Sequence, residues 1–134
     1  GISQMGKLER VIKRKKQIND FYRDALINVP QMKSMEIDSR CSPVYWFTSY
    51  MVEKVEDFQN FLFDNGIQTR RFFYPLDLQP CYQNNNLVSG INQNFSVSHN
   101  IYNHGVSLPS SYNLSYKQLK KITKVIYSYF ENRN

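Results

Sequence analysis

An apolar stripe of helical period runs from Met5 to Val29 and stops short of Pro30, and it constrains the fold more than any other part of the chain. Met5, Leu8, Val11, Ile12, Ile18, Phe21, Tyr22, Ala25 and Val29 recur at spacings of three and four, which place side chains on one side of an α-helix. The spacing predicts a long helix over about residues 2–28, ended by a proline ring that cannot continue it. Such a helix must bury its apolar face against another layer. Lys13, Arg14, Lys15 and Lys16 form a basic run inside it, and in a helix these four point in four directions, mostly to water.

The rest of the chain supplies that layer. Residues 30–42 are polar and read as a connection. The stretch PVYWFTSYMV, Pro43 to Val52, is rich in aromatic and β-branched residues and reads as a strand buried on both faces. EKVEDFQNFLFDNG follows as a helix of about three turns, with Val55, Phe58, Phe61 and Leu62 on one side and Gly66 as its stop. IQTRRFFY reads as a strand over Ile67 to Phe73, running into the proline-bounded loop YPLDLQPCY. After the polar loop QNNNLVSGINQN, Asn94 or Ser96 caps a short helix closed by Gly105, and VSLP is a short strand. In the last helix Ser115 and Gln118 have capping-box spacing, and Leu114 and Leu119 have staple spacing. The class is α+β: a small, mainly antiparallel sheet of about three strands packed by helices.

With 134 residues the chain fits one domain with a real core. No apolar run approaches the roughly 18 to 20 residues of a membrane span, and the first residues lack the apolar segment of a signal peptide. A cytoplasmic location is the default expectation. Gly1 stands in place of an initiator Met, which is expected of a cloning scar or of a chain cut from something longer. Cys41 and Cys81 have no CxxC spacing and read as buried or half-buried thiols. His99 and His104, five apart, lack a third ligand, so no metal site is expected. The net charge of +6 suits an acidic partner, yet it gathers on the first helix without an alternating aromatic stripe, and nucleic-acid binding is not expected. No Gly-rich phosphate loop or nucleophile elbow is present. Attention falls on TRRFFYPLDLQPCY, Thr69 to Tyr82. Phe72 and Phe73 alternate into a core on one reading. On the other, Arg70 or Arg71 forks onto a phosphate or carboxylate, and Tyr74 and Tyr82 stack on a base or sugar.

GIQTRRFFYPLDLQPCY resembles a segment of the DegT/DnrJ/StrS family of sugar-nucleotide aminotransferases, whose usual form is Gly-Ile-x-Thr-Arg followed by Phe-Tyr-Pro-Leu-His-Leu-Gln-Pro-x-Tyr. FSVSHNIYNHGVSLPSSYNLSYKQLKKITKVI and GKLERVIKRKKQINDFYRDAL resemble the family's next segment and its preceding long helix, so the resemblance covers almost the whole chain in order. It implies a single C-terminal small domain, residues 1–134, of a fold-type-I enzyme dependent on pyridoxal phosphate (PLP). The larger domain, with the Schiff-base lysine, lies outside this chain, and no cofactor is expected on this piece alone. It implies a parent homodimer that takes an amino group from an amino-acid donor to a keto nucleotide sugar. Arg70, Phe73, Tyr74, Asp77, Gln79 and Tyr82 match the loop implied to contact substrate. Asp77 departs from the family's His and would repel a diphosphate, which Arg71 beside Arg70 is expected to offset in part. No catalytic, cofactor-binding or metal residue is expected here, because the lysines lie on polar helix faces or in the 30s loop, none desolvated. Two other readings stand beside this one: the same domain of a pyridoxamine-phosphate-dependent sugar dehydratase, and a stand-alone basic interaction module.

Overall fold

The computed structural model describes residues 5–83 and 94–131. Its helices are α1 (Leu8–Ala25), α2 (Val55–Asp64), α3 (Pro80–Gln83), α4 (Ser96–His104) and α5 (Tyr116–Glu131). Its strands are β1 (Lys33–Ser34), β2 (Thr48–Met51), β3 (Arg70–Arg71) and β4 (Gly105–Leu108), in the sheet order β1-β2-β4-β3 with every neighbour antiparallel. The α+β class holds. The sheet has four strands rather than three, because two residues of the expected connection, Lys33 and Ser34, pair with Met51 and Tyr50.

The apolar stripes meet as expected. Ile18 and Tyr22 of α1, Phe58 and Leu62 of α2, and Leu119, Ile122 and Ile126 of α5 join Tyr50, Val106 and Leu108 of the sheet in one core. The Tyr22 hydroxyl is buried and donates to the Pro109 carbonyl at 2.9 Å, and desolvation pushes its pKa far up. α1 is shorter than predicted. Gly6 lies in a turn before it, and Val29 and Met32 close successive turns onto the carbonyls of Leu26 and Val29 around Pro30. Gly66 ends α2 as expected, at φ +73°, with its N–H on Phe63 O and the Ile67 N–H on Leu62 O, both at 2.8 Å. Both cysteines are exposed, against expectation.

The two middle strands are shorter than their apolar runs. β2 begins at Thr48 instead of Pro43, and its burial alternates instead of being complete. Thr48 pairs with Leu108, so a longer β2 would set Phe47 against Pro109, which has no N–H to donate. β3 keeps only Arg70 and Arg71 of Ile67–Phe73, since the next residue, Phe72, lies against Gly105, where β4 has just emerged from α4. Gly105 closes α4 as expected, with its N–H on Ile101 O, and at φ −82° it also opens β4.

The basic run divides its work. Lys13 is exposed and Lys16 pairs with Asp20 at 2.7 Å. Arg14 donates to the carbonyls of Leu114 and Tyr112, and Lys15 to those of Trp46 and Ser110. Two of the four cations thus fasten α1 to the segment before α5. There the capping box is formed: Ser115 N–H donates to Gln118 Oε1 at 2.8 Å, and Gln118 N–H to Ser115 Oγ at 3.3 Å. Ser115→Ala is expected to lower the unfolding free energy by about 1 kcal/mol in a urea titration. A loss below a few tenths would show that the N–H groups at the helix start find water equally well.

Candidate functional site

The sheet has one face in the core, and its other face carries a polar row. Registered partners share a face, so Ser49, Ser107 and Arg70 line up across β2, β4 and β3, opposite in direction to Tyr50 and Val106. The Ser49 and Ser107 hydroxyls hydrogen-bond at 3.0 Å. The Arg70 side chain is exposed and has no hydrogen bond or ion pair among the described residues. It borders a groove of about 300 Å3 lined by Gln68, Ser107, Pro109, Lys15, Trp46 and Phe47 as well. Trp46 stacks on Phe47 with centroids 4.7 Å apart, and Phe47 meets Phe73 edge-on at 6.3 Å. Trp46 is 65% exposed and Phe73 76%. An exposed guanidinium beside an aromatic wall suits a ligand with an anionic group and a flat or apolar ring.

Lys15 corrects one expectation. It is partly buried at the edge of this groove, and desolvation lowers its pKa. Its amino group is spent on Trp46 O at 2.8 Å and Ser110 O at 2.6 Å, so it bridges two backbone carbonyls.

The expected loop is more ordered than its sequence suggested. It holds a 3-10 turn, Leu76–Leu78, and α3, with Pro75 buried between β3 and the turn. Arg71 is committed: it pairs with Glu56 at 3.2 Å, donates to Tyr102 O at 2.9 Å and lies over the Tyr102 ring at 4.8 Å. Tyr74 meets the same ring edge-on at 5.2 Å. Asp77 Oδ2 lies 2.6 Å from His99 Nε2. Asp77 thus has His99 of α4 as its partner, while Arg71 pairs with Glu56. Gln79 is half-buried, with its backbone N–H on Leu76 O, and Tyr82 is exposed on α3.

The expected residues thus fall into separate settings. Arg70 and Phe73 belong to the groove and its aromatic wall. Tyr74 and Asp77 dock on α4. Gln79 and Tyr82 belong to the turn and short helix beyond. Trp46, Phe47, Lys15 and His99 were missed as site residues. The aromatic pair was credited to a buried strand, and His99 was weighed only as a metal ligand.

The sequence profile of the DegT/DnrJ/EryC1/StrS aminotransferase family matches residues 1–127. This chain belongs to that family. A GDP-perosamine synthase of Vibrio cholerae is 29% identical over 97% of this chain, and one of Escherichia coli O157:H7 is 27% identical over 99%. The chain spans 35% of the length of each. Among solved structures, the aminotransferase TlmJ of Streptoalloteichus hindustanus superposes over the whole chain with a TM-score of 0.86 at 17% identity, covering 35% of that protein. A DegT/DnrJ/EryC1/StrS aminotransferase from Brucella abortus gives 0.82 at 22% identity over 96% of this chain. These superpositions establish the fold.

The family's cofactor, PLP, needs an amine for its imine, a carboxylate for its ring nitrogen and a cup of donors for its phosphate. The residues described for this family member do not fit that set. Every lysine but Lys15 is exposed, and Lys15 is bound to two carbonyls. No carboxylate lines the Arg70 groove. Among the described residues no three His, Cys, Asp or Glu side chains are grouped to hold a metal, and no helix is long and apolar enough to cross a membrane.

Proposed function

We propose that this chain is the C-terminal small domain of a PLP-dependent aminotransferase that acts on keto nucleotide sugars, in a cytoplasmic homodimer. In this reading the cofactor and its lysine belong to a larger domain outside the chain. The observation that carries the reading is the match to the family over residues 1–127 by a chain spanning 35% of its GDP-perosamine synthase relatives. The names of those relatives favour a GDP-linked sugar as substrate, and an amino acid such as glutamate is the donor in this reading. The domain closes the cleft and offers its groove to the substrate. Arg70 takes an anionic oxygen in a forked pair of hydrogen bonds, and Trp46, Phe47 and Phe73 cover an apolar ring face. Tyr74, Asp77, Gln79 and Tyr82 shape the rim beyond.

The test uses the full-length protein that carries this chain. Amino transfer from glutamate to a GDP-linked keto sugar is expected, and Arg70→Ala is expected to raise KM for the sugar about tenfold, the worth of one charged hydrogen bond. A product that loses a hydroxyl instead of gaining an amine would point to the dehydratase branch. In parallel, the 134-residue chain alone is titrated with PLP. No saturable imine band between about 330 and 430 nm is expected. Such a band, discharged by an amino donor, would overturn the assignment of the lysine to another domain.

A further inference from the structure

The loop after β3 is fastened to one side of α4 by successive rungs. Arg71, Tyr74 and Asp77 follow one another at intervals of three, and they meet Tyr102, Tyr102 and His99 in that order, so the two segments run antiparallel. His99 and Tyr102 are themselves three apart, the helical spacing that puts both on one face. The last rung differs from the others. Arg71 and Tyr74 grip a backbone carbonyl and a ring, whereas Asp77 and His99 are an ionisable pair, 2.6 Å apart, with side chains 17% and 35% exposed. The pair spans two elements far apart in sequence, the 3-10 turn and α4. A carboxylate left without its hydrogen-bond partner at that depth would carry an uncompensated desolvation cost.

We propose that Asp77 and His99 form a positioning latch, a hydrogen-bonded pair that holds the turn on α4, so that the loop can border a bound nucleotide sugar. The latch acts through placement, and neither residue is assigned a part in bond making. Its effect on the ligand rests on the functional reading above; its effect on the loop does not. Two consequences separate it from an incidental surface contact. Breaking either half has to free the turn, and restoring the pair with its members exchanged has to recover the loss.

The experiment takes the full-length protein and four forms: wild type, Asp77→Asn, His99→Asn and the exchanged pair Asp77→His with His99→Asp. Two quantities are read in each, amide-hydrogen exchange of residues 76–82 by mass spectrometry, and KM and kcat with a GDP-linked keto sugar. Each single variant is expected to speed exchange across 76–82 about tenfold. Each is also expected to raise KM about fivefold or more, with kcat within about twofold, as befits a group that binds and positions without acting in the transition state. The exchanged pair is expected to return both quantities most of the way to wild type. Unchanged amide protection in the single variants overturns the latch. So does an exchanged pair that behaves as the sum of two defects. Faster exchange with unchanged KM overturns its role towards the ligand. If wild type turns over no nucleotide sugar, the functional reading fails, and the amide measurements alone still decide whether the latch exists.

Discussion

Gly105→Ala is expected to remove about 3 kcal/mol of stability, the upper end of ordinary overpacking costs. Gly105 opens β4 in an ordinary extended conformation, so backbone strain is not the reason. The reason is space. A Cβ built there would overlap Phe72 Cδ2 and Cε2 as well as the carbonyl oxygen of Ile101. The ring could give by rotating, but the carbonyl belongs to the end of α4 and accepts the Gly105 N–H. Relief would therefore require β3 and α4 to part, and those two elements flank the loop of residues 72–79. A urea titration of Gly105→Ala beside wild type measures the effect. A loss under about 1 kcal/mol would mean that the ring and helix end adjust freely and that the contact does not fix the loop. A second substitution, Phe72→Ala introduced together with Gly105→Ala, should recover part of the loss, since the opened space then admits the methyl group.

The other large effect lies in the core. Phe58→Ala is expected to cost about 4 kcal/mol, a large share of the roughly 5–15 kcal/mol that holds a domain folded. Phe58 is wholly buried in α2 and packs against two rings of α5, Tyr129 at 5.0 Å and Phe130 at 5.7 Å. Tyr129 also contacts Phe61 at 5.3 Å, so removal of Phe58 strips the middle from a four-ring cluster that joins the two helices. The rings rest on backbones fixed by other contacts and cannot all collapse into the gap. Phe58→Leu, which refills most of the volume, is expected to cost about 1.5 kcal/mol. Equal losses for the two variants would show that ring contact, rather than filled volume, supplies the stability.

The parts of this fold that were legible in the sequence are those whose signal is local and repeated. The apolar period gave α1, α2 and α5, and Gly66 and the Ser115–Gln118 pair marked helix ends through backbone groups only a few residues away. Strand limits were less legible, because a strand ends where its partner ends. Nothing in Pro43 to Phe47 says that Pro109 would lie opposite Phe47, and nothing in Phe72 says that Gly105 would leave room for its ring. β1 was invisible for the same reason: Lys33 and Ser34 are strand residues only because Met51 and Tyr50 have free edges. The candidate site shows this division again. Arg70 and the loop could be picked out by type and order. The pairing of Asp77 with His99 joins residues on two different elements, and a search for a third metal ligand could not find it. The PVYWFTSYMV aromatics misled in another way. Their preference for strands is real, yet Trp46 and Phe47 stack outside the ladder and form a wall of the groove.

The shortness of the outer strands has a consequence for company. A sheet rim with free N–H and C=O groups invites a strand from another molecule, and long flat rims are how such proteins clump into fibres. Here each rim strand is two residues long, and each carries cationic side chains, Lys33 on one and Arg70 and Arg71 on the other. A visiting strand would gain a pair of residues' worth of ladder and meet like charges if it were basic itself. The sheet thus offers little to a visiting strand at either side.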